Sequence, residues 1–233
     1  MKPASIAVVG ASQRMTRATR VVANLQRFGY GGRIFPINPK YSEVLGLPCY
    51  PDLASTPEPA HSVVVAIPAE QVPSVLTAAV ASGVRGAVVL SSGFGEAGPA
   101  GRARQAELEQ LAERGLLICG PNCYGVFNIA LGASQFSADV AEPLRPGGVG
   151  LVSQSGGFSH AIGEYLMQQR RVGLNYIVSC GNQAGLTVED YVGTSSRTSP
   201  PPSSAPSSRG SSSPSGSAGR PRARGSCASP SWC

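Results

Sequence analysis

The chain has 233 residues, 42% of them hydrophobic, which is enough for one large domain or two small ones. Its formal charge of +6 comes mostly from residues 194–233, which hold five Arg and no Lys, Asp or Glu; the preceding body carries 14 basic against 13 acidic residues. Trp232 is the only aromatic residue in that basic segment, so the charge does not mark a nucleic-acid surface, and no apolar run is long enough to span a bilayer.

Taken in chain order, Ser5–Val9 reads as a buried strand ended by Gly10-Ala11-Ser12, and 19–28 as an amphipathic helix presenting Val21, Val22, Leu25 and Phe28. After Gly31-Gly32, Arg33–Ile37 is a second strand; 62–67 is a third, closed by Pro68. A helix over 70–82, a strand over 86–90, a charged helix over 102–114 and a strand over 116–119 follow. Continuous apolar strands alternating with helices predict a parallel sheet covered on both faces, wound by right-handed crossovers into a Rossmann-like doubly wound α/β domain over 1–125.

A loop-rich connection, 122–146, leads to a second α/β region over 126–193. It has a strand at 148–152, a helix over 155–169, a strand at 174–179 and a helix start at 187–192. One strand–helix–strand unit and part of a helix cannot close a core of their own, so this region reads as an incomplete domain whose exposed apolar surface favours association.

Residues 194–233 contain 15 Ser and 7 Pro and no Ile, Leu, Val, Phe, Met or Tyr, a composition that cannot offset its ordering entropy by burial. This stretch is expected to be disordered. The abrupt change near residue 193 reads either as an off-frame extension or as a natural disordered linker. The N-terminus has no signal-peptide core, and Cys49, Cys119, Cys123 and Cys180 follow no CxxC or metal-ligand spacing. A cytoplasmic protein with reduced thiols and no metal site is expected.

The candidate binding residues lie at strand ends. Gly10-Ala11-Ser12 sits at the first strand-to-helix turn, where backbone N–H groups favour a phosphate, although a tight turn without a ligand reads the same way. Asn38-Pro39-Lys40 follows the second strand, where a NAD-binding domain usually places an acid for the ribose hydroxyls. Lys40 instead suits an additional phosphate, or is simply a solvated lysine. Ser91-Ser92-Gly93-Phe94-Gly95-Glu96 lies just past the fourth strand, where small residues permit backbone contact with a nucleotide or a pantetheine arm, or simply make a flexible connection. Ser153, Ser155 and Gly156 open a helix and make either an anion site or a plain N-cap. No catalytic residue is assigned. Cys123 lacks a histidine in a suitable sequence context, and His61 and His160 read as structural or surface residues.

Several short motifs occur in a shared order over about 190 residues. They are Val8-Val9-Gly10-Ala11-Ser12, Asn38-Pro39-Lys40, Ala66-Ile67-Pro68, Ser92-Gly93-Phe94, Gly120-Pro121-Asn122-Cys123, Ser153-Gln154-Ser155-Gly156 and Ser179-Cys180-Gly181-Asn182. Together the chain resembles the NDP-forming acyl-CoA synthetases, acid–CoA ligases related to the succinyl-CoA synthetase alpha subunit. The resemblance implies a CoA-binding domain followed by a flavodoxin-like domain, with Gly10, Ala11, Ser12, Lys40, Ser91, Ser92 and Gly93 contacting coenzyme A. It also implies that the helix starting near Ser155 points its N-terminus at a phosphorylated histidine, which relays phosphate to a carboxylic acid before CoA displaces it. That histidine and an ATP-grasp domain or subunit, with ATP or ADP and Mg, belong to the complete enzyme, so this chain alone is expected only to bind CoA. The acid is not specified. His61 and Ala18 depart from the family's usual acidic residue and glycine. A CoA-binding regulatory module of a protein acetyltransferase and a redox-sensing NAD-binding domain are the alternative readings.

Overall fold

The structure is a computed structural model that describes residues 2–195. The Ser/Pro/Arg-rich stretch beyond Ser195, on which the expectation of disorder falls, lies outside the described residues. Strand β1 (Ser5–Val9) leads through a seven-residue loop into helix α1 (Arg17–Arg27). The helix starts two residues before the sequence pattern suggested, because Thr16 caps it, its hydroxyl accepting from the Thr19 N–H at 3.2 Å. Strand β2 (Arg33–Ile37) follows, then a small hairpin of β3 (Glu43–Val44) and β4 (Leu47–Pro48). Pro36 is tolerated within β2 because that strand lies at the edge of its sheet. Next come β5 (Ser62–Val65), α2 (Val72–Ala81), β6 (Gly86–Val89), α3 (Pro99–Glu113) and β7 (Leu117–Cys119).

These strands form a five-stranded, wholly parallel sheet in the order β2-β1-β5-β6-β7. Counted along these five strands alone, the order is 2-1-3-4-5, the doubly wound arrangement whose ligand crevice opens where connections leave in opposite directions. That point lies between the carboxyl ends of β1 and β5. Val63, Val65, Leu76, Leu108 and Ile118 pack the face covered by α2 and α3; Ile6, Val8, Val21, Val22 and Leu25 pack the face under α1.

The connection over 122–146 is not a loop. It contains strands β8 (Gly125–Asn128) and β9 (Ala133–Phe136), paired antiparallel. Beyond it come β10 (Pro146–Ser153), α4 (Gly156–Glu164), a π-turn over Tyr165–Gln169, β11 (Leu174–Ser179) and α5 (Val188–Ser195). The second sheet runs β10-β11-β8-β9, with β10 and β11 parallel and the β8–β9 hairpin antiparallel to β11.

The hairpin supplies the core that the strand–helix–strand reading lacked. Phe127, Ile129 and Phe136 pack with Met167, Leu174 and Ile177 on one side of this sheet. On the other side, Val126, Tyr176 and Val178 join Val88 and Leu90 of the first sheet's core. The backbone N–H groups of Asn182, Ala184 and Leu186 donate to the carbonyls of Pro121, Gly120 and Ile118, covering the edge of β7. No described helix is long and apolar enough to cross a membrane.

Strand β10 ends the second sheet, and beside it Phe158 and Tyr165 are 55% and 49% exposed. Among the described residues no strand pairs with the outer edge of β10, and a strand edge near exposed rings favours association. Sedimentation velocity over a concentration series is expected to show self-association that falls in Phe158→Ser/Tyr165→Ser; an unchanged, concentration-independent monomer would count against this.

Candidate functional site

A cleft of about 800 Å³ opens at the carboxyl ends of β1, β2 and β5, lined by Gly10, Asn38, Lys40, Asp52, Ile67 and Gln71 among others. Gly10 leaves β1 with φ +94°, and a Cβ there would lie 2.5 Å from the Ala66 carbonyl oxygen. Its N–H donates to the Ile37 carbonyl at 3.0 Å, so Gly10 joins the ends of three strands. The Asn38 amide donates to the Ala11 carbonyl at 2.7 Å, and Asn38 Oδ1 accepts from the Lys40 N–H at 3.0 Å. The side chain that replaces the expected acid therefore braces the first loop. Lys40 is exposed and has no carboxylate partner among the described residues. Asp52, which also lines the cleft, accepts from the Ser55 hydroxyl and N–H, which hold its carboxyl below the usual range.

Ser12 lies just outside this cleft. Its N–H donates to the Thr19 hydroxyl at 3.0 Å, which in turn donates to the Ser12 carbonyl at 3.0 Å. Ala11 is buried. The Ser91 hydroxyl donates to the Ile67 carbonyl at 2.6 Å and accepts from the Ile67 N–H at 3.1 Å, closing the turn after β6 against the cleft wall. Ser92 is exposed. Gly93, with φ +101°, already uses its N–H on Glu96 and its carbonyl on Arg104.

A second pocket, of about 450 Å³, is lined by Arg17, Asn122, Cys123, Gln154, Ser155 and Asn182 among others. Gly156 also lines it and packs so closely on the Tyr124 ring that a Cβ would collide with that ring. The Ser155 hydroxyl caps α4 through the Phe158 N–H at 3.3 Å, while Ser153 Oγ accepts from the Ser155 N–H at 3.1 Å and stands behind the pocket. Ser155 and Gly156 therefore meet at one polar cavity, with Ser153 behind them. The Asn122 N–H donates to the Ser91 carbonyl at 2.8 Å, so a residue that lines the second pocket is bonded to the turn that holds Ile67 of the cleft.

Arg17 escaped the sequence reading, as did the side-chain roles of Glu96 and Asn182, which lie within motifs that it named. The Arg17 guanidinium donates to the carbonyls of Leu90, at 2.6 Å, and of Cys123, and to Ser137 Oγ at 3.1 Å; it also lies over the Tyr124 ring. It joins α1 to the hairpin region and supplies the cationic side chain of the second pocket. Only a carbonyl cluster assembled from distant segments reveals that role. Asn182 was within a quoted motif, but nothing local distinguished its side chain.

Cys123 is fully buried, and hydrogen bonding with Cys119 together with that burial pushes its thiol well above the ordinary range. It does not have the depressed pKa of a reactive thiol. The four cysteines among the described residues are buried and unpaired as thiols. His61 Nδ1 lies 3.2 Å from the Ser5 hydroxyl, and His160 Nε2 lies 2.6 Å from the Asp139 carbonyl and 3.5 Å from Glu164. Neither histidine lines the two cavities.

Residues 4–129 match the CoA binding domain family, and residues 146–198 match the succinyl-CoA ligase like flavodoxin domain. The acetate–CoA ligase [ADP-forming] I of Archaeoglobus fulgidus is 36% identical over 192 residues, covering 82% of this chain and 27% of the relative. The acetate–CoA ligase [ADP-forming] II subunit alpha of Pyrococcus furiosus is 32% identical over 192 residues, covering 82% and 41%. The dinucleotide forming acetyl-coenzyme A synthetase 1 of Ca. Korarchaeum cryptofilum, solved with phosphate and ADP, superposes with a TM-score of 0.76 at 31% identity, covering 84% and 42%. The chain thus spans about a quarter to two-fifths of the length of these relatives. With one family matched over more than half of its length and the second following in order, the chain belongs to the CoA-binding domain family, joined to a succinyl-CoA-ligase-like flavodoxin region as in the NDP-forming acyl-CoA synthetases.

Proposed function

We propose that this chain is the CoA-binding part of an NDP-forming acid–CoA ligase. In the complete enzyme, a carboxylic acid, CoA and ATP would give acyl-CoA. The observation that carries the reading is the cleft at the crossover point of the sheet: apolar walls for a base, a glycine that lets the ligand approach the backbone, and Lys40 without a carboxylate partner among the described residues. Those residues fit the 3′-phosphorylated adenosine end of CoA. The Gly10–Ser12 loop and the Ser91–Gly93 turn then border the way to the second pocket, where Asn122 and the N-terminus of α4 would receive the thiol end and a phosphorylated partner. When bound, CoA supplies a thiol nucleophile. The residues of this chain orient it and, through Arg17 and the α4 N-terminus, favour negative charge nearby.

The remaining parts, a phosphate-relaying histidine and an ATP-grasp domain or subunit using ATP or ADP with Mg, would come from elsewhere. The name of the Pyrococcus furiosus relative, a subunit alpha, supports a partner subunit.

Calorimetric titration with CoA, dephospho-CoA and NADH tests the reading. CoA is expected to bind about tenfold more tightly than dephospho-CoA, roughly the contribution of one charge-assisted phosphate contact, and Lys40→Ala should remove that difference. A preference for NADH would move the chain to the redox-sensing alternative. No binding of CoA by the folded chain would end the proposal.

A further inference from the structure

The turn after β6 is held by a carboxylate that the CoA reading does not use. Glu96 Oε1 accepts from the N–H groups of Gly93, at 2.6 Å, and Phe94, at 3.2 Å. Its Oε2 accepts from the Asn182 amide at 2.5 Å. That amide also donates to Gln105 Oε1 at 3.1 Å, and the same oxygen accepts from the Gly95 N–H at 3.1 Å. Arg104 on α3 is engaged elsewhere, with the Gly93 carbonyl and Glu70. One carboxylate therefore ties the turn after β6 to the loop after β11, and Asn182 on that loop lines the second pocket.

Glu96 itself is exposed, and two features anchor the tie it makes. Phe94, whose N–H is one of the bridged amides, has a fully buried side chain that anchors the turn in the core. Burial works against the Glu96 charge, yet the bonds from Asn182, Gly93 and Phe94 outweigh it and keep the carboxyl below its usual range. The ionised form is thus the one the turn is built around.

We propose that Glu96 is a positioning residue whose bridge from the Gly93 and Phe94 amides to Asn182 sets the passage between the cleft and the second pocket. On the CoA reading, on which this rests, that passage carries the pantetheine arm. The adenosine end is held on the far side, by Lys40, and does not depend on the bridge.

The test titrates the full chain with CoA and with adenosine 3′,5′-bisphosphate, which has the nucleotide end and no arm. In Glu96→Gln one oxygen still accepts from Gly93, but the new NH2 group faces the Asn182 NH2 group. Asn182→Asp alone sets two carboxylates against each other, and the double variant restores a donor–acceptor pair between positions 96 and 182, leaving only the bond to Gln105 unmade. Each single variant is expected to weaken CoA about tenfold and the bisphosphate less than about twofold, with the double variant recovering most of the loss. Equal losses for both ligands, or additive losses in the double variant, would overturn the proposal. Amide hydrogen exchange judges the bridge without any ligand: Gly93 and Phe94 should be protected in the wild type and exchange faster in Glu96→Ala. Unchanged exchange overturns the bridge itself, whereas a wild type that binds neither ligand overturns the CoA reading.

Discussion

Phe127→Ala is expected to destabilise the protein by about 3–5 kcal/mol, the range for removing a buried aromatic ring from a well-packed core. Phe127 lies on β8, is fully buried, and stacks on Phe28 of the α1 C-cap with ring centroids 5.0 Å apart. Its other neighbours, Phe136, Met167 and Ile177, are also buried and come from three further elements, so no single side chain can move into the space it leaves. Urea unfolding followed by circular dichroism would measure the loss, and the slope with denaturant should stay constant. A single transition is also expected, because Val126 of the same strand packs with Val88 and Leu90 of the first sheet. Leu131→Ala, at a residue 39% exposed, should cost less than about 1 kcal/mol and serves as the control. A loss below about 1 kcal/mol for Phe127→Ala would mean that the hairpin is not part of the cooperative core.

The importance of that hairpin was hidden in the sequence for a physical reason. Strands β1, β5 and β6 are runs of four or five consecutive residues, mostly Val, Ile and Ala, closed soon afterwards by Gly, Pro or Ser; burial on both faces writes that pattern directly. Strands β8 and β9 are four residues each and include Asn128, Ser134 and Gln135, all buried. Polar residues inside a strand normally argue for a loop. Gln135 is accommodated by a distant partner, its Oε1 accepting from the Ser62 hydroxyl at 2.6 Å, 73 positions away in the chain, while Asn128 Oδ1 accepts locally from the Leu131 N–H at 3.2 Å. The Asn24 amide likewise donates to the carbonyls of Phe136 and Ala138, joining α1 to β9. Bonds made between segments far apart leave no periodicity to read.

The candidate site divides in the same way. Gly10 and Lys40 were legible because the crossover point of a parallel sheet puts its crevice beyond the strand ends, and those residues stand there. Ser155 and Gly156 were legible as a helix start. Arg17 and Glu96 look like ordinary charges on a helix and a loop; their roles come from carbonyls and amides delivered by other segments. Ser91 was legible as a loop residue, but its hydroxyl is used within the protein to fasten Ile67. Strand topology thus locates a crevice, while the polar atoms available to a ligand follow only from the long-range hydrogen bonds.

Gly10→Ala should weaken CoA binding by at least about tenfold and lower stability by more than about 1 kcal/mol, the ordinary penalty for a Cβ at positive φ. The larger effect follows from what the added atom meets. At Gly10 the Cβ would lie 2.5 Å from the Ala66 carbonyl oxygen and 3.0 Å from Ile67 Cγ2, so backbone on β1 or on the segment after β5 must move. Those two segments are the walls of the cleft, and separating them disturbs both the approach to the first loop and the Ser91–Ile67 contact. Gly29→Ala isolates the conformational part of the effect: its φ is +68°, yet a Cβ there meets nothing within 4 Å. It should cost about 1 kcal/mol in stability and leave CoA affinity unchanged. If Gly10→Ala is no worse than Gly29→Ala in both measurements, the close approach of β1 to the segment after β5 does not shape the binding site. A ligand that nevertheless bound the folded chain would then have to be sought at the second pocket, where Arg17 and the α4 N-terminus supply the positive charge.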